Sequence, residues 1–202
     1  MGIRHRIKDL FEAEARAVAS IPVSDAYEKT IDLLHRQIHE KAGKIIVSGM
    51  GKAGQIADNI ATTFSSTGSP AVFLHPSEAQ HGDLGMIREN DVLLLISNSG
   101  KTREIIELLA LARALYNNIP VVLITGNPES VLCKDANHVL FTGKPKEVCP
   151  LGLTPTTSTT TMTVMGDVLV VLLMERIGFS AGDYAKRHHG GYLGQKSRNQ
   201  SK

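Results

Sequence analysis

The sequence predicts a single α/β domain built on a parallel β-sheet that is covered by helices on both faces. Short apolar runs alternate along the chain with stretches of helical periodicity. The runs are continuously apolar rather than alternating, which is typical of strands that are buried on both faces. Hydrophobic residues make up 42% and charged residues 21% of 202 residues, as expected for a globular α/β protein of one domain.

Two amphipathic helices are predicted before the first strand. Apolar residues recur at helical spacing in two sets, at Ile3, Ile7, Leu10, Phe11, Ala15 and Val18, and at Tyr27, Ile31, Leu34 and Ile38. Pro22 separates the two sets, and Ser24 or Asp25 is the expected cap of the second helix.

Five apolar runs then predict five strands: KIIVSG (44–49), AVFLH (71–75), DVLLLIS (91–97), VVLITG (121–126) and HVLFTG (138–143). Helices are expected between them over 55–64 and 102–115, and after them over about 157–176 and 181–187. No internal repeat, low-complexity tract or linker divides the chain. Residues 1–202 are therefore predicted to be one domain.

Charge and composition argue against several classes of protein. The formal charge is +2 with scattered basic residues, and aromatic residues are 4% with no Trp, so nucleic-acid binding is not expected. The most apolar stretch, 162–173, is shorter than the ~20 residues of a bilayer span and predicts a buried helix. Two cysteines without CxxC spacing and a charged N-terminus predict a cytoplasmic protein. The tail bearing Lys196, Arg198 and Lys202 is predicted to be frayed.

Polar loops containing glycine follow three of the predicted strands: SGMGKAG (48–54), HPSEAQHGDLG (75–85) and SNSGKTRE (97–104). In a doubly wound sheet, ligands bind beyond the carboxyl ends of the strands. These loops are therefore the expected walls of a binding site.

The SNSGKT segment enters a predicted helix, where backbone N–H groups and the hydroxyls of Ser97, Ser99 and Thr102 would favour a phosphate. Simple capping of the helix explains the same residues. The GMGKAG segment matches GxGxxG, but His75 stands where a dinucleotide site expects an acidic residue about 20 positions on. Taken alone, Lys52 is better explained as a solvated residue at a helix start. Two such turns together indicate a small phosphorylated ligand rather than a nucleotide.

The candidate acid–base residues are Glu78, His81, Asp83, Glu104, Glu147 and His188. An aldose–ketose isomerase needs a base for the C1–C2 proton and a partner for the hydroxyl protons. Each of these residues, taken separately, is also explained as part of a solvated loop. His75 and His81 do not form a zinc ligand set, and Cys149 lacks the His–Asn pattern of a nucleophilic cysteine.

Five longer segments resemble, in order, the sugar isomerase (SIS) domain of arabinose 5-phosphate isomerases: GMGKAG (49–54), HPSEAQHGDLG (75–85), SNSGKTREI (97–105), EVCPLGLTPTTSTTTMTVMGD (147–167) and AKRHHGGYLG (185–194). The resemblance covers residues 5 to 196. It implies a three-layer α/β/α fold with a central five-stranded parallel sheet. It also implies a homotetramer without a redox cofactor that interconverts D-ribulose 5-phosphate and D-arabinose 5-phosphate for Kdo synthesis, in lipopolysaccharide or capsule.

Carried over by motif position, the resemblance places Lys52, Glu104, Glu147 and His188 in catalysis. Substrate contacts fall on Ser48, Gly49, Gly68, Ser69, His81, Ser97, Asn98, Ser99 and Thr102. A divalent ion such as zinc falls at His75. As a working hypothesis, Glu147 is the base, Lys52 and Glu104 polarise and orient the carbonyl, and His188, delivered by a neighbouring subunit, opens the sugar ring or moves a hydroxyl proton.

Two departures from the family pattern stand out. Full-length relatives carry tandem cystathionine-β-synthase (CBS) modules after the SIS domain, and none is expected here because the sequence ends soon after GGYLG (190–194). His189 replaces the proline of the family's HPGG turn, which should make that turn less rigid. The alternatives are an isomerase of a hexulose or heptulose phosphate, and a phosphosugar sensor without catalytic activity. A sensor would not need Lys52, Glu104, Glu147 and His188 together.

Overall fold

Five short apolar segments pair into one parallel sheet within residues 2–200, the part of the chain that the computed structural model describes. The strands are β1 (Ile45–Gly49), β2 (Ala71–Phe73), β3 (Val92–Ile96), β4 (Val121–Thr125) and β5 (His138–Phe141). They lie in the order β2-β1-β3-β4-β5, and all neighbours are parallel. This confirms the predicted sheet. β2 is shorter than predicted because Pro76 already begins a helix.

The helices are α1 (Ile3–Ala19), α2 (Ala26–Leu34), α3 (Lys52–Ser66), α4 (Pro76–Ala79), α5 (Arg103–Leu115), α6 (Val131–Asp135), α7 (Thr157–Arg176), α8 (Ala181–Arg187) and α9 (Gly191–Gln200). α2 continues as a π-helical turn, His35–Glu40, and a 3₁₀ turn spans Asp83–Met86. The short helices α4 and α6 were not predicted, since a single turn is too short to show a periodic pattern.

Alternate strand residues face two separate hydrophobic cores, which makes the three layers. Ile45, Val47 and Leu94 pack with residues of α2, α3 and α7 on one face. Ile46 and Leu95 pack with residues of α5 on the other. Every residue of β1, β3 and β4 is buried, which is why their sequences are continuously apolar.

The polar tail is a helix, so the prediction of a frayed terminus was wrong. α9 packs against α8, with Gly194 and Ser197 buried between them. A Cβ on Gly194 would lie 2.2 Å from the His188 carbonyl oxygen, so only glycine allows this close contact. Lys202 lies outside the described residues.

Within residues 2–200, α7 is the one helix long and apolar enough to cross a membrane. Half of its most apolar 18-residue stretch is buried inside the protein. Its contacts with α1, α2 and α3 are those of a core helix, as the sequence predicted.

Candidate active site

A cavity of about 250 Å³ opens at the carboxyl ends of β1 and β3. In a sheet with this strand order, that is the point where the chain changes direction, and it is where such folds bind ligands. The cavity is lined by Met50, Lys52, Ala53, Ile96, Ser97, Asn98, Ser99, Thr102, Pro155, Ser158, Thr159 and Met162.

Three helices begin at this cavity. Lys52 starts α3, Thr102 is the residue before α5, and Ser158 lies in the first turn of α7. The N-termini of α3 and α5 present free N–H groups and partial positive charge, whereas the carboxylate of Glu147 already accepts from N–H groups at the start of α7. The Lys52 ammonium adds a full charge, and its contact with Gln55 Oε1, at 3.4 Å, is long. The cavity is therefore suited to an anion such as a phosphate.

Two glycines allow α3 to begin close to the end of β1. A Cβ on Gly49 would lie 2.7 Å from the Ala53 carbonyl oxygen, and a Cβ on Gly54 would lie 2.7 Å from the Gly49 carbonyl oxygen. Gly51 between them has φ of +60°, which favours glycine. The GxGxxG pattern thus brings the start of α3 close against the end of β1, and α3 begins at Lys52 rather than at the predicted residue 55.

Hydrogen bonds of the hydroxyl groups hold the SNSGKT loop in a turn. The Ser97 and Thr102 hydroxyl oxygens are 2.8 Å apart, and Ser97 Oγ accepts a hydrogen bond from the Gly100 N–H at 3.1 Å. Thr102 precedes α5 but its side chain makes no capping hydrogen bond. For Thr102, simple capping is therefore not what the structure shows.

Glu147 caps α7 from the preceding loop. Its Oε2 accepts hydrogen bonds from the Thr156 N–H at 2.7 Å, the Thr156 hydroxyl at 2.9 Å and the Ser158 N–H at 3.3 Å. Desolvation acts to raise the pKa of Glu147, but the hydrogen bonds from Ser158 and Thr156 together outweigh it and leave this pKa below its ordinary value. Glu147 is therefore a carboxylate at neutral pH, hydrogen-bonded to a residue of the cavity lining.

Three other predicted residues do not line the cavity: Ser48, His81 and Glu104. Glu104 is in the first turn of α5, half-buried. His81 is exposed in the loop after α4. The neighbouring Gln80 donates a 2.8 Å hydrogen bond to Glu107 of α5. Ser48 is fully buried and donates to the Leu74 carbonyl at 2.6 Å, so its hydroxyl joins β1 to the end of β2.

The opposite end of the sheet, where the strands begin, carries three predicted residues: Gly68, Ser69 and His188. Pro70 accepts from the Ile45 N–H, so the turn before it is at the amino end of β1, roughly 15 Å from the cavity along a five-residue strand. A Cβ on Gly68 would lie 3.7 Å from the Arg187 guanidinium, which places the end of α8 at the same edge. One chain thus contains two separate groups of the predicted site residues.

His188 is held in a defined orientation. Its ring stacks on Tyr184 with centroids 3.7 Å apart and planes 5° from parallel. Its Nδ1 lies 3.1 Å from the Tyr184 carbonyl oxygen, which can only accept. In the neutral ring the proton is therefore on Nδ1, and Nε2 carries the basic lone pair.

His75 offers one nitrogen for a metal ion. Nδ1 is buried and has no hydrogen-bond partner among the described residues, and the ring packs edge-on against Phe73. Over residues 2–200 no group of three or more His, Cys, Asp or Glu residues is placed to hold a metal. A single imidazole fits a weakly held ion but not a structural zinc, which takes four ligands.

Sequence reasoning missed two features of the site. Met50, Pro155 and Met162 line the cavity with apolar atoms, and nothing in their local sequence marks them. Glu14 of α1 reaches the start of α7, where it accepts from the Thr157 hydroxyl at 2.9 Å. A contact across 143 residues leaves no pattern in a single sequence. Ser158 and Thr159, from the hydroxyl-rich start of α7, also line the cavity.

A sequence model of the SIS domain matches residues 38–172, which include β1 to β5 and most of α7. The chain belongs to the SIS domain family. This SIS domain is 44% identical over 190 residues to the arabinose 5-phosphate isomerase KdsD of Salmonella typhi, covering 94% of this chain and 56% of the relative. The chain thus spans about half the length of that enzyme.

Two solved structures are similar to this SIS domain over nearly its whole length. A Bacteroides fragilis protein assigned as a phosphosugar isomerase involved in capsule formation is 62% identical, with a TM-score of 0.93, over 95% of this chain and 100% of that one. The Escherichia coli CFT073 protein c3406, in complex with arabinose 5-phosphate, is 34% identical, with a TM-score of 0.85, over 92% of this chain and 97% of that one. These matches confirm the predicted fold.

Proposed function

We propose that this SIS domain is an aldose–ketose isomerase that interconverts D-ribulose 5-phosphate and D-arabinose 5-phosphate through an enediol. The observation that supports it most is the convergence of the N-termini of α3 and α5 with Lys52 on one cavity, which fits the phosphate of a small sugar. The relatives supply the choice of sugar, since one is an arabinose 5-phosphate isomerase and another is complexed with arabinose 5-phosphate.

In the proposed reaction, a proton leaves C1 of ribulose 5-phosphate and a proton is added at C2. Glu147 is the proposed base because its carboxylate is ionised and lies beside the cavity. Lys52 and Glu104 polarise and orient the carbonyl end of the sugar. His188 uses its Nε2 lone pair to open the ring or to move a hydroxyl proton.

The proposed active site is shared between subunits of a homotetramer. His188, Gly68 and Ser69 lie at one edge of the sheet and Lys52 at the other, so a neighbouring chain must bring the two groups together. Exposed apolar side chains on α1 and α7 provide surface for association: Ile3, Phe11, Val168 and Val171. The substrate contact proposed for His81 would complete the cavity from its own chain.

The remaining assignments extend this proposal. Isomerisation moves only protons, so we propose that it needs no redox cofactor and that a divalent ion at His75 is not required. We place the protein in the cytoplasm, as one domain over residues 1–202, providing arabinose 5-phosphate for Kdo in lipopolysaccharide or capsule. The capsule assignment of the Bacteroides fragilis relative favours the latter pathway.

Proton NMR of the purified protein with ribulose 5-phosphate in D₂O tests the proposal directly. We expect arabinose 5-phosphate to accumulate, and deuterium at C2 if the base exchanges its proton with solvent. Product without deuterium would still be isomerisation, with a proton shielded from water.

Absence of product would contradict the proposed substrate. Turnover of a hexulose or heptulose phosphate instead would indicate a related isomerase. Binding of sugar phosphates with no turnover would indicate a sensor.

A further inference from the structure

We infer that Glu14, on the first helix, is a positioning residue for the loop that carries Glu147. The inference rests on the proposed function only in naming Glu147 as the base. Glu14 is half-buried in α1, and α1 packs against α7. It lies 133 positions before Glu147 in the sequence, and no residue of α1 lines the cavity.

The connection is a chain of two hydrogen bonds through Thr157. Glu14 Oε1 accepts from the Thr157 hydroxyl at 2.9 Å, and the same hydroxyl oxygen accepts from the Val148 N–H at 3.1 Å. Thr157 is only 1% exposed, so solvent does not compete for either bond. Because the hydroxyl proton is committed to Glu14, the oxygen lone pair faces Val148. Glu14 thereby fixes the backbone next to Glu147.

The loop that this bond anchors has no regular secondary structure. Residues 142–156 form neither helix nor strand, and Glu147 reaches α7 from the middle of them. Its contacts to Thr156 and Ser158 hold the carboxylate, while the bond from Val148 to Thr157 holds the backbone. Displacement of a reacting group by about 1 Å costs up to ~100-fold in rate.

The burial of Glu14 also costs folding free energy, so stability does not explain an acid at this position. Its second oxygen, Oε2, is buried and has no hydrogen-bond partner among the described residues. A buried carboxylate oxygen without a partner costs free energy. Two positions earlier on the same helix, Glu12 is half exposed and lies within 4 Å of both Lys8 and Arg16, where an acid serves only the surface. An acid at Glu14 fits a role in positioning this loop.

The first test is the kinetics of Glu14→Ala and Thr157→Val, with Thr157→Ser and Glu12→Ala as controls. We expect kcat to fall about 10- to 100-fold in both test variants, with KM changed less than about twofold, because the base moves while the phosphate cavity stays. The double variant should be no slower than either single variant, since both break one chain of bonds. Thr157→Ser keeps the hydroxyl and should keep the rate, and Glu12→Ala should match the parent protein.

The second test is amide hydrogen exchange, which needs no activity. We expect the Val148 N–H to exchange about tenfold faster in Glu14→Ala and in Thr157→Val, and at the parent rate in Glu12→Ala. Exchange at Leu94, in the middle of β3, should not change, which separates a local opening from global unfolding. Glu14→Gln, which keeps an acceptor, serves if Glu14→Ala does not fold, and it should give a smaller effect of the same sign.

Unchanged Val148 exchange in Glu14→Ala would overturn the inference whatever the kinetics show. Faster exchange in a protein that does not isomerise ribulose 5-phosphate would uphold the positioning of the loop and contradict the proposed substrate. Faster exchange with an unchanged kcat would overturn the link between this loop position and the reaction.

Discussion

The carboxylate of Glu147 accepts a 2.7 Å hydrogen bond from the backbone N–H of Thr156, so the proposed base is also the N-terminal cap of α7. A carboxylate at this position stabilises a helix by satisfying its free N–H groups and by opposing its dipole. α7 is the long core helix of one face of the sheet. The residue proposed for chemistry is therefore placed by the same bonds that begin a main element of the fold.

Glu147→Gln should separate these two roles. The amide oxygen can still accept from Thr156, so the melting temperature should stay near that of the parent protein, but an amide cannot take a proton. We expect kcat to fall about 100- to 10,000-fold with KM little changed. Glu147→Ala loses the cap as well and should be less stable by about 0.5–2 kcal/mol.

Glu89→Gln, an exposed change at the other end of the sheet, is the matched control. Substantial turnover by Glu147→Gln would show that another group is the base.

Thr102→Val tests the phosphate cavity. The substitution keeps the shape of the side chain but removes the hydroxyl that lies 2.8 Å from Ser97 Oγ at the start of α5. We expect KM to rise about tenfold or more, with a smaller change in kcat, because hydrogen bonds to a charged group are lost in substrate and transition state alike. Steady-state kinetics provide the measurement. Thr62→Val, on the exposed side of α3, should leave KM unchanged.

Gly54→Ala tests the close approach of α3 to β1. Helix propensity alone would favour alanine by about 1 kcal/mol, but the new Cβ would meet the Gly49 carbonyl oxygen at 2.7 Å. We expect a net destabilisation of about 1–3 kcal/mol, seen as a lower melting temperature, and a loss of activity as Lys52 shifts. Gly85→Ala is the control, since a Cβ there has nothing within 4 Å. A melting temperature equal to that of Gly85→Ala would contradict the steric explanation.

The Cys149 thiol should have a pKa well below that of an ordinary thiol. Hydrogen bonds from the side chain and backbone of Thr154 and from two neighbouring N–H groups lower its pKa to about 6. The thiolate, which is the reactive form, should therefore dominate above pH 6 rather than only in the ordinary range, above about pH 8.5. In a Cys133→Ser background, the rate of alkylation by iodoacetamide should be half-maximal near pH 6 and nearly flat above about pH 7.

Thr154→Val in the same background should move that midpoint upward, because it removes the largest of the hydrogen bonds. A midpoint that stays near about pH 8.5 in the parent protein would show that the loop does not hold the thiolate.

The sequence alone determined the sheet and one wall of the site. Strands that are buried on both faces need apolar residues at every position, so β1, β3 and β4 could be identified directly. The glycines at 49, 51 and 54 and the hydroxyls of the SNSGKT loop are local requirements of strand–helix turns, and such turns lie at the carboxyl edge of a parallel sheet. Lys52, Ser97 and Thr102 were therefore predictable as neighbours.

The remaining features depend on how the helices pack against the sheet. The fold placed His188 at the end of the sheet opposite Lys52, because α7 runs back along the sheet and carries the chain to the amino ends of the strands. It also packed the polar tail as a helix against α8, with a close contact at Gly194. The hydrogen bond from Thr157 to Glu14 joins residues 143 apart. Such contacts depend on how helices pack in three dimensions, and neither periodicity nor spacing in the sequence contains that information.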